Sequence, residues 1–397
     1  MNPSMMPRTR ASFSDVLPTL PLHDLARLAA SADDAAIDRA LASAPEKRDL
    51  GHLAALLSPR ANVRLEELAR ASSALTQQRF GRTVHLYAPL YLSNECLTTC
   101  TYCGFAKDLQ IRRRTLSTLE SVREARALAA HGFRHLLLLT GEHKQATGID
   151  FLCTHLEALR AFIPQLSLEV QVFEQHEYEQ LVAAGCDGVV AYQETYDPAR
   201  YAQVHLAGSK RRFGFRLDGP ERAAAAGVRR LGIGALLGLH DDWRFEVLAT
   251  VAHAQHLQRA AWRSELAVSV PRIRPSASGF QPRAIISDRD LAQIICAMRL
   301  LLPEAGIVSS SREEAGFRDR LIPLGVTHTS AGSHTEPGGY TEPGDADEQF
   351  EVNDTRSVEE VGAALRALGY DLVWKDWDAA MRQRTQHTLA TPELVEA

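Results

Sequence analysis

The sequence predicts a (β/α)8 barrel of the TIM type, with a helical extension before it and a second extension after it. Three observations carry that expectation. From residue 83 onward, short apolar or β-branched runs alternate with longer stretches of helical period, the texture of βα units around a parallel sheet. Eight such runs can be placed before residue 333. They span about 250 residues, the usual size of an eight-stranded α/β barrel. A doubly wound open sheet satisfies the same pattern, because periodicity does not show whether a sheet closes.

The elements follow in order. In the preface, residues 1–82, apolar positions recur near the helical period at Leu25, Leu28, Ala29 and Ala36, then Leu50, Leu53, Leu56 and Leu57, then Val63, Leu65, Leu68 and Leu75. Asn62 is the expected cap of the third segment and Gly81 its stop. In the barrel, residues 83–332, strands are expected at 83–92, 135–141, 167–173, 188–194, 230–239, 265–275, 306–313 and 326–332. Helices are expected at 118–131, 149–162, 174–184, 220–226, 243–261, 287–302 and 316–321. The extension, residues 333–397, opens with the turn-forming echo Thr335-Glu336-Pro337-Gly338 and Thr341-Glu342-Pro343-Gly344, which reads as an ordered loop or lid over 333–347. A helix at 357–368 and the Trp-rich 374–378 follow, expected to pack on the barrel.

Composition narrows the function. With 44 Lys+Arg against 49 Asp+Glu, the formal charge of the 397 residues is −5, which disfavours a nucleic-acid or membrane partner. The first 22 residues carry four prolines and no apolar core of a secretory signal. The longest apolar runs, such as that from Leu136 to Leu139, fall far short of the roughly 20 residues that span a bilayer. A cytoplasmic location is expected. Six cysteines in a chain this long make no disulfide framework, so each needs its own explanation.

Three of them, Cys96, Cys100 and Cys103, fall within eight residues at C-x3-C-x2-C spacing, just after the first strand. Clustered thiols on one loop point to a metal or redox centre. A structural zinc site would need a fourth ligand, such as His143 or His85. A cubane cluster of four irons would take three thiolates and keep one iron open for an exogenous ligand. Cys153, Cys186 and Cys296 fall on predicted helices or loop starts, where a buried thiol acts as a small apolar group.

The C-x3-C-x-aromatic-C loop after the first barrel strand resembles the radical S-adenosylmethionine (SAM) superfamily. The flanking Pro89-Leu-Tyr-Leu-Ser-Asn94 and Thr101-Tyr-Cys-Gly-Phe105 are similar to the tyrosine lyases of bacterial thiamine synthesis, the 2-iminoacetate synthases. The likeness continues through Ala55 to Pro59, His135 to His143, Tyr192 to Tyr196, Gly232 to Ala235, Ser311 to Glu313, Pro337 to Tyr340 and Trp374 to Asp378. One departure is Glu336, where the family's pattern often has an uncharged amide.

The resemblance implies a [4Fe-4S] cluster on Cys96, Cys100 and Cys103, with SAM as the second cofactor. It places Gly141 and Glu142 where the superfamily's Gly-Gly-Glu motif receives the methionine moiety. It assigns Gln193 and Glu194 to the ribose, Arg216 to the SAM carboxylate, and Tyr102, Gly232 and Gly234 to the adenine. Arg312 and Ser330 become the clamp for the substrate's carboxylate. The implied reaction is radical cleavage of the Cα–Cβ bond of L-tyrosine to 2-iminoacetate (dehydroglycine) and p-cresol, with 5′-deoxyadenosine and methionine, for the thiazole of thiamine. Implied partners are thiazole synthase and a low-potential electron donor of flavodoxin or ferredoxin type. A hydrogenase-maturation lyase would need C-terminal cysteines for a second cluster, and no Cys lies after Cys296. A zinc-stabilised scaffold without activity remains the alternative from another class.

Overall fold

A computed structural model of the protein describes residues 11–376 and 378. Residues 1–10, Trp377 and 379–397, which belong to the two expected extensions, lie outside the described residues. Among the described residues there are eleven strands: β1 Thr83–Ser93, β2 Thr99–Cys100, β3 His135–Thr140, β4 Gln165–Glu169, β5 Gly188–Glu194, β6 His205–Ala207, β7 Arg230–Ala235, β8 Glu265–Ser269, β9 Gly306–Ser309, β10 His328–Ser330 and β11 Asp371–Val373. Eight of them run in the order β1-β3-β4-β5-β7-β8-β9-β10, and β10 pairs back onto β1. Every one of these pairings is parallel. The sheet therefore closes into a barrel, and the open-sheet alternative falls away.

The expected strands start where the real ones do to within two residues, but several end early. The third was expected to reach residue 173 and stops at Glu169, and the seventh was expected to reach 313 and stops at Ser309. The extra residues are strand-like in composition yet lie beyond the residues that pair with neighbouring strands. Intervening helices run Thr118–Ala130, Ile149–Leu159, Gln175–Ala184, Gly219–Ala225, Trp243–Ala260, Asp288–Leu301 and Ala315–Leu321. Capping is explicit in the sequence, as in Ser117 with Glu120 and Ser287 with Asp290, which form reciprocal capping boxes.

The preface wraps around the outside of the barrel. Helix Leu22–Ser31 packs on Trp243–Ala260, and Leu65–Phe80 packs on Asp288–Leu301. Both barrel helices are consequently apolar on two faces and buried along most of their length. Gly81 ends the preface with φ 66° as expected. The Asn62 cap is a correction: Ser58 accepts the Ala61 N–H at 3.0 Å, while the Asn62 amide reaches Gln293 at 2.8 Å. Asn62 sits inside helix Pro59–Val63, so it ties preface to barrel instead of starting a helix.

The chain after residue 333 covers both ends of the barrel. Residues 333–350 cross the C-terminal mouth, fastened by Tyr340 Oη on the Pro89 carbonyl at 2.6 Å and by Arg112 on Asp347 at 2.9 Å. Helix Val358–Ala367 then leads to β11, which pairs parallel with the start of β1, Thr83 against Asp371. At this N-terminal end Trp374 packs edge-on against Phe133, and Asp376 lies 3.4 Å from His85 and 3.8 Å from Arg229. Cys186 and Cys296 are buried and Cys153 is half-buried, all in the apolar core around the barrel. Among the described residues no helix is long and apolar enough to cross a membrane.

One buried ion pair links the last two strands to the covering segment. Arg318 and Asp354 pair with side chains 4% and 0% exposed, and the same guanidinium donates to Thr329 Oγ1 at 2.6 Å and to the Ser330 carbonyl. Removing one partner strands a buried charge, a loss of about 3–5 kcal/mol. Asp354→Ala is therefore expected to lower stability by that amount in equilibrium urea denaturation, with Arg318 left unneutralised.

Candidate active site

The cysteine loop sits over the ends of the first two barrel strands. Leu97 N–H donates to the Glu142 carbonyl at 2.9 Å and Gly141 N–H to the Ser93 carbonyl at 3.0 Å. Gly141 permits this crossing, because a Cβ there would stand 2.2 Å from the Glu95 carbonyl oxygen and 3.0 Å from Cys96 Cβ. The loop's other side forms an antiparallel ribbon, β2 with β6, which sequence reading did not anticipate. Strand β6 has only three residues, too few for a period.

Two of the three thiols share one polar partner, for Thr98 Oγ1 lies 2.9 Å from Cys96 Sγ and 3.6 Å from Cys100 Sγ. Cys103 Sγ receives the Phe105 N–H at 3.4 Å and the Gln349 side-chain N–H at 3.8 Å. Cys96 and Cys103 also pack in an apolar group with Tyr91, Phe105, Leu137 and Leu139. Among the described residues no three His, Cys, Asp or Glu side chains stand close enough to hold a single metal ion. Three thiols spread along a loop, without a fourth ligand, fit a polynuclear iron–sulfur cluster and not one tetrahedral zinc. Burial pushes the Cys100 thiol up to about 12 and raises Cys103 as well, so iron binding here displaces protons.

Beside the loop lies a network of buried charge. Arg216, 6% exposed, donates from Nη1 to Glu142 Oε1 at 2.8 Å and from Nε to the Tyr192 carbonyl at 2.7 Å. Glu142 also accepts the Ser209 hydroxyl at 2.7 Å. Glu194 accepts Lys210 Nζ at 2.6 Å, with Arg216 Nη2 at 3.9 Å. Burial by itself would raise the Glu194 carboxyl, but Lys210 and Arg216 hold it below the usual carboxylate range. Glu194 is the one non-glycine described residue with positive φ, 73°, a strained backbone of the kind found where function fixes a side chain. Glu142 and Arg216 are thus neither solvated nor surface residues.

Tyr102 faces the same network. Its hydroxyl donates to His205 Nε2 at 2.8 Å, and His205 Nδ1 donates to the Tyr201 carbonyl at 2.9 Å. Burial drives the His205 pKa down to about 3, so the ring is neutral with its proton assigned to Nδ1 by those partners.

A cavity of about 990 Å³, counting its mouth, opens over the strand ends. Cys103, Tyr102, Glu194, Arg312 and Ser330 all border it. Arg312 lies 3.4 Å over the Phe350 ring, and Ser330 Oγ accepts the Ser311 N–H at 3.2 Å. Glu313 pairs with Arg272 instead of with its neighbour Arg312. Gln193 does not border the cavity; it is 2% exposed, and both its amide atoms lack a partner among the described residues. Gly232 and Gly234 lie inside the barrel wall, where a Cβ would meet Val190 at 2.8 Å and the Tyr192 ring at 2.7 Å. Glu169, Lys210, Tyr87 and Gln349 also border the cavity, and sequence reading missed them. The only local signal was a single charged residue in the apolar run around Glu169.

Residues 90–251 match the radical SAM superfamily, and residues 269–371 match the biotin and thiamin synthesis associated domain. The 2-iminoacetate synthase of Escherichia coli (strain K12) is 46% identical over 94% of this chain and 99% of its own length. The chain belongs to the 2-iminoacetate synthase family. Its Salmonella typhimurium relative of the same name is 44% identical over 88% of this chain and 92% of its own. Among solved structures, the FeFe-hydrogenase maturase HydG from Carboxydothermus hydrogenoformans superposes with a TM-score of 0.79 at 30% identity, covering 94% of this chain and 84% of that one. As a member of this radical SAM family, the protein is an enzyme of lyase type that uses a [4Fe-4S] cluster and SAM.

Two measurements test the site. Cys96→Ala, Cys100→Ala and Cys103→Ala should each reduce iron in the anaerobically reconstituted protein from about four per chain to near zero, whereas Cys153→Ala should leave it unchanged. For the apoprotein, Glu194→Gln should be less stable than wild type at neutral pH. Because the folded pKa of Glu194 is depressed, the difference should shrink as pH falls below its ordinary 4.5. A pH series of urea midpoints for both proteins measures it.

Proposed function

We propose that this enzyme cleaves the Cα–Cβ bond of L-tyrosine, releasing 2-iminoacetate and p-cresol, and so supplies the thiazole moiety of thiamine. The observation that carries the reading is a single cavity that Cys103 borders together with Arg312 and Ser330. Near-full-length similarity to proteins named 2-iminoacetate synthase supports the choice of reaction.

When bound on Cys96, Cys100 and Cys103, the cluster supplies an electron for reductive cleavage of SAM to methionine and a 5′-deoxyadenosyl radical. The chain's own residues do the positioning. Among the described residues Arg216 Nη2 makes no close hydrogen bond, unlike its Nε and Nη1, and is the donor left for the SAM carboxylate. The segment at Gly141 and Glu142 takes the amino group of SAM. Glu194, held in its strained conformation by Lys210, accepts from the ribose, and Tyr102 lies beside the adenine. Gln193, whose amide lacks partners among the described residues, supports that strand end from behind. Gly232 leaves room for Val190 and Gly234 for Tyr192, whose ring forms the wall below the adenine.

Arg312 offers the substrate carboxylate a planar fork, stacked on Phe350 so that little side-chain freedom is lost on binding. The Ser330 hydroxyl adds a second donor. Residues 333–350 keep bulk water from the cavity, which matters because 2-iminoacetate hydrolyses. Direct transfer to a thiazole synthase partner follows from that instability, and a flavodoxin- or ferredoxin-type protein supplies the electron.

With SAM, dithionite and L-tyrosine under anaerobic conditions, chromatography should detect p-cresol and 5′-deoxyadenosine in equal amounts, with little of either when tyrosine is omitted. SAM cleavage without p-cresol, or cleavage indifferent to tyrosine, would overturn the reading. Arg312→Met should raise the KM for tyrosine about 30-fold or more, the equivalent of about 2 kcal/mol for a lost buried charge pair.

A further inference from the structure

The cavity contains an acidic side chain that the proposed function leaves without a task. Glu169 is the last residue of β4, the third strand of the barrel. Its neighbours Leu168 and Val170 are buried in the core, and alternation along the strand turns Glu169 the other way, into the cavity that it borders. Charged and phenolic groups face it from every side: Tyr87 and Tyr91 on β1, Tyr192 and Glu194 on β5, Lys210 and Arg216 on the crossover, and Arg312 beyond β9. None of them gives Glu169 a hydrogen bond or an ion pair among the described residues.

The position of Arg312 is the informative one. In the closed ring β1-β3-β4-β5-β7-β8-β9-β10, strands β4 and β9 stand four steps apart, on opposite sides of the barrel. Arg312, just past the end of β9 at Ser309, is near enough for its charge to lower the Glu169 pKa, yet the two do not pair. A cation and an anion thus border the cavity from opposite sides of the barrel, and among the described residues neither has a contact partner of opposite sign. The ligand complementary to such a slot carries a carboxylate and an ammonium close together, which is the zwitterionic end of an amino acid.

We propose that Glu169 is the ammonium subsite of this enzyme, holding the α-amino group of the amino-acid substrate while Arg312 holds its carboxylate. The inference rests on the reading of the enzyme as an amino-acid lyase. Burial lifts the Glu169 carboxyl to about 7, with Glu194 adding to the rise and Arg312, Lys210 and Arg216 opposing it. A carboxylate in that condition gains from an incoming cation, which restores the charge that burial disfavours. It also selects against ligands without an amine, because they leave the buried acid unpaired.

The test is anaerobic calorimetry on the cluster-loaded, SAM-bound, unreduced enzyme, in which binding is read without turnover. L-tyrosine and 3-(4-hydroxyphenyl)propanoate, which lacks only the amine, are titrated into wild type, Glu169→Gln and Glu169→Asp, with SAM affinity measured for each. Wild type should bind tyrosine at least about 30-fold more tightly than the analogue. Glu169→Gln should lose that preference, binding tyrosine about 30-fold more weakly and the analogue no worse than wild type does. Glu169→Asp should recover part of it, and SAM affinity should not change. The inference is overturned if Glu169→Gln binds tyrosine normally, loses both ligands equally, or loses SAM instead. A wild type that binds no tyrosine would sink the substrate reading along with it, whereas normal wild-type binding paired with an indifferent Glu169→Gln sinks the inference alone.

Discussion

Arg216 is a guanidinium buried between two carboxylates, and much of the barrel mouth is arranged around it. Glu142 ends one strand connection and Glu194 another, while Lys210 and Arg216 both come from the crossover between β5 and β7. Two anions and two cations balance, so the desolvation of each is met by a partner at hydrogen-bond distance. Without that balance Glu194 would have little to hold it at a positive φ. The cysteine loop depends on the same arrangement, since Leu97 docks on the Glu142 backbone and Tyr102 on His205, which closes the ribbon formed with β6. The loop that carries the three thiols is thereby registered against the side chains at the strand ends.

A second constraint acts from above. Gly104 meets the backbone of Gln349 so closely that a Cβ would stand 2.3 Å from its carbonyl oxygen, and Gln349 directs its amide toward both Cys103 Sγ and the Tyr91 hydroxyl. The segment covering the mouth is therefore in contact with the thiol loop, not merely draped over the substrate side. Hydrogen bonds to sulfur and exclusion of water are the means by which a protein sets the potential of an iron–sulfur centre. The same stretch of chain thus shields the substrate and shapes the surroundings of the cofactor. On the opposite face, β11 and Asp376 seal the N-terminal end of the barrel.

Local patterns conveyed much of this architecture. The alternation of strand and helix periods placed all eight barrel strands and the starts of the helices between them. The three cysteines were legible because their spacing is short and their chemistry leaves few alternatives. The errors arose where a residue type has two uses. Asn62 had the composition of a cap but sits mid-helix, where its amide bridges to Gln293. Ser167 to Phe173 had the composition of one long strand, which hid Glu169 in its middle when the strand in fact ends there. Lys210 lay in a basic stretch with Arg211 and Arg212 that reads as a solvated surface, yet it is drawn inward by Glu194.

The sequence by itself determined the class of fold, the thiol loop and the family's cofactors, because periodicity and motif spacing are properties of neighbouring residues. Tertiary structure decided which side chains converge. Closure of β10 onto β1 brings the ends of strands four apart to face one another across the barrel. That closure puts Glu169 opposite Arg312 and draws Arg216 in between Glu142 and Glu194. Such through-space pairings depend on the register and curvature of the whole sheet, and no local stretch of the chain contains them.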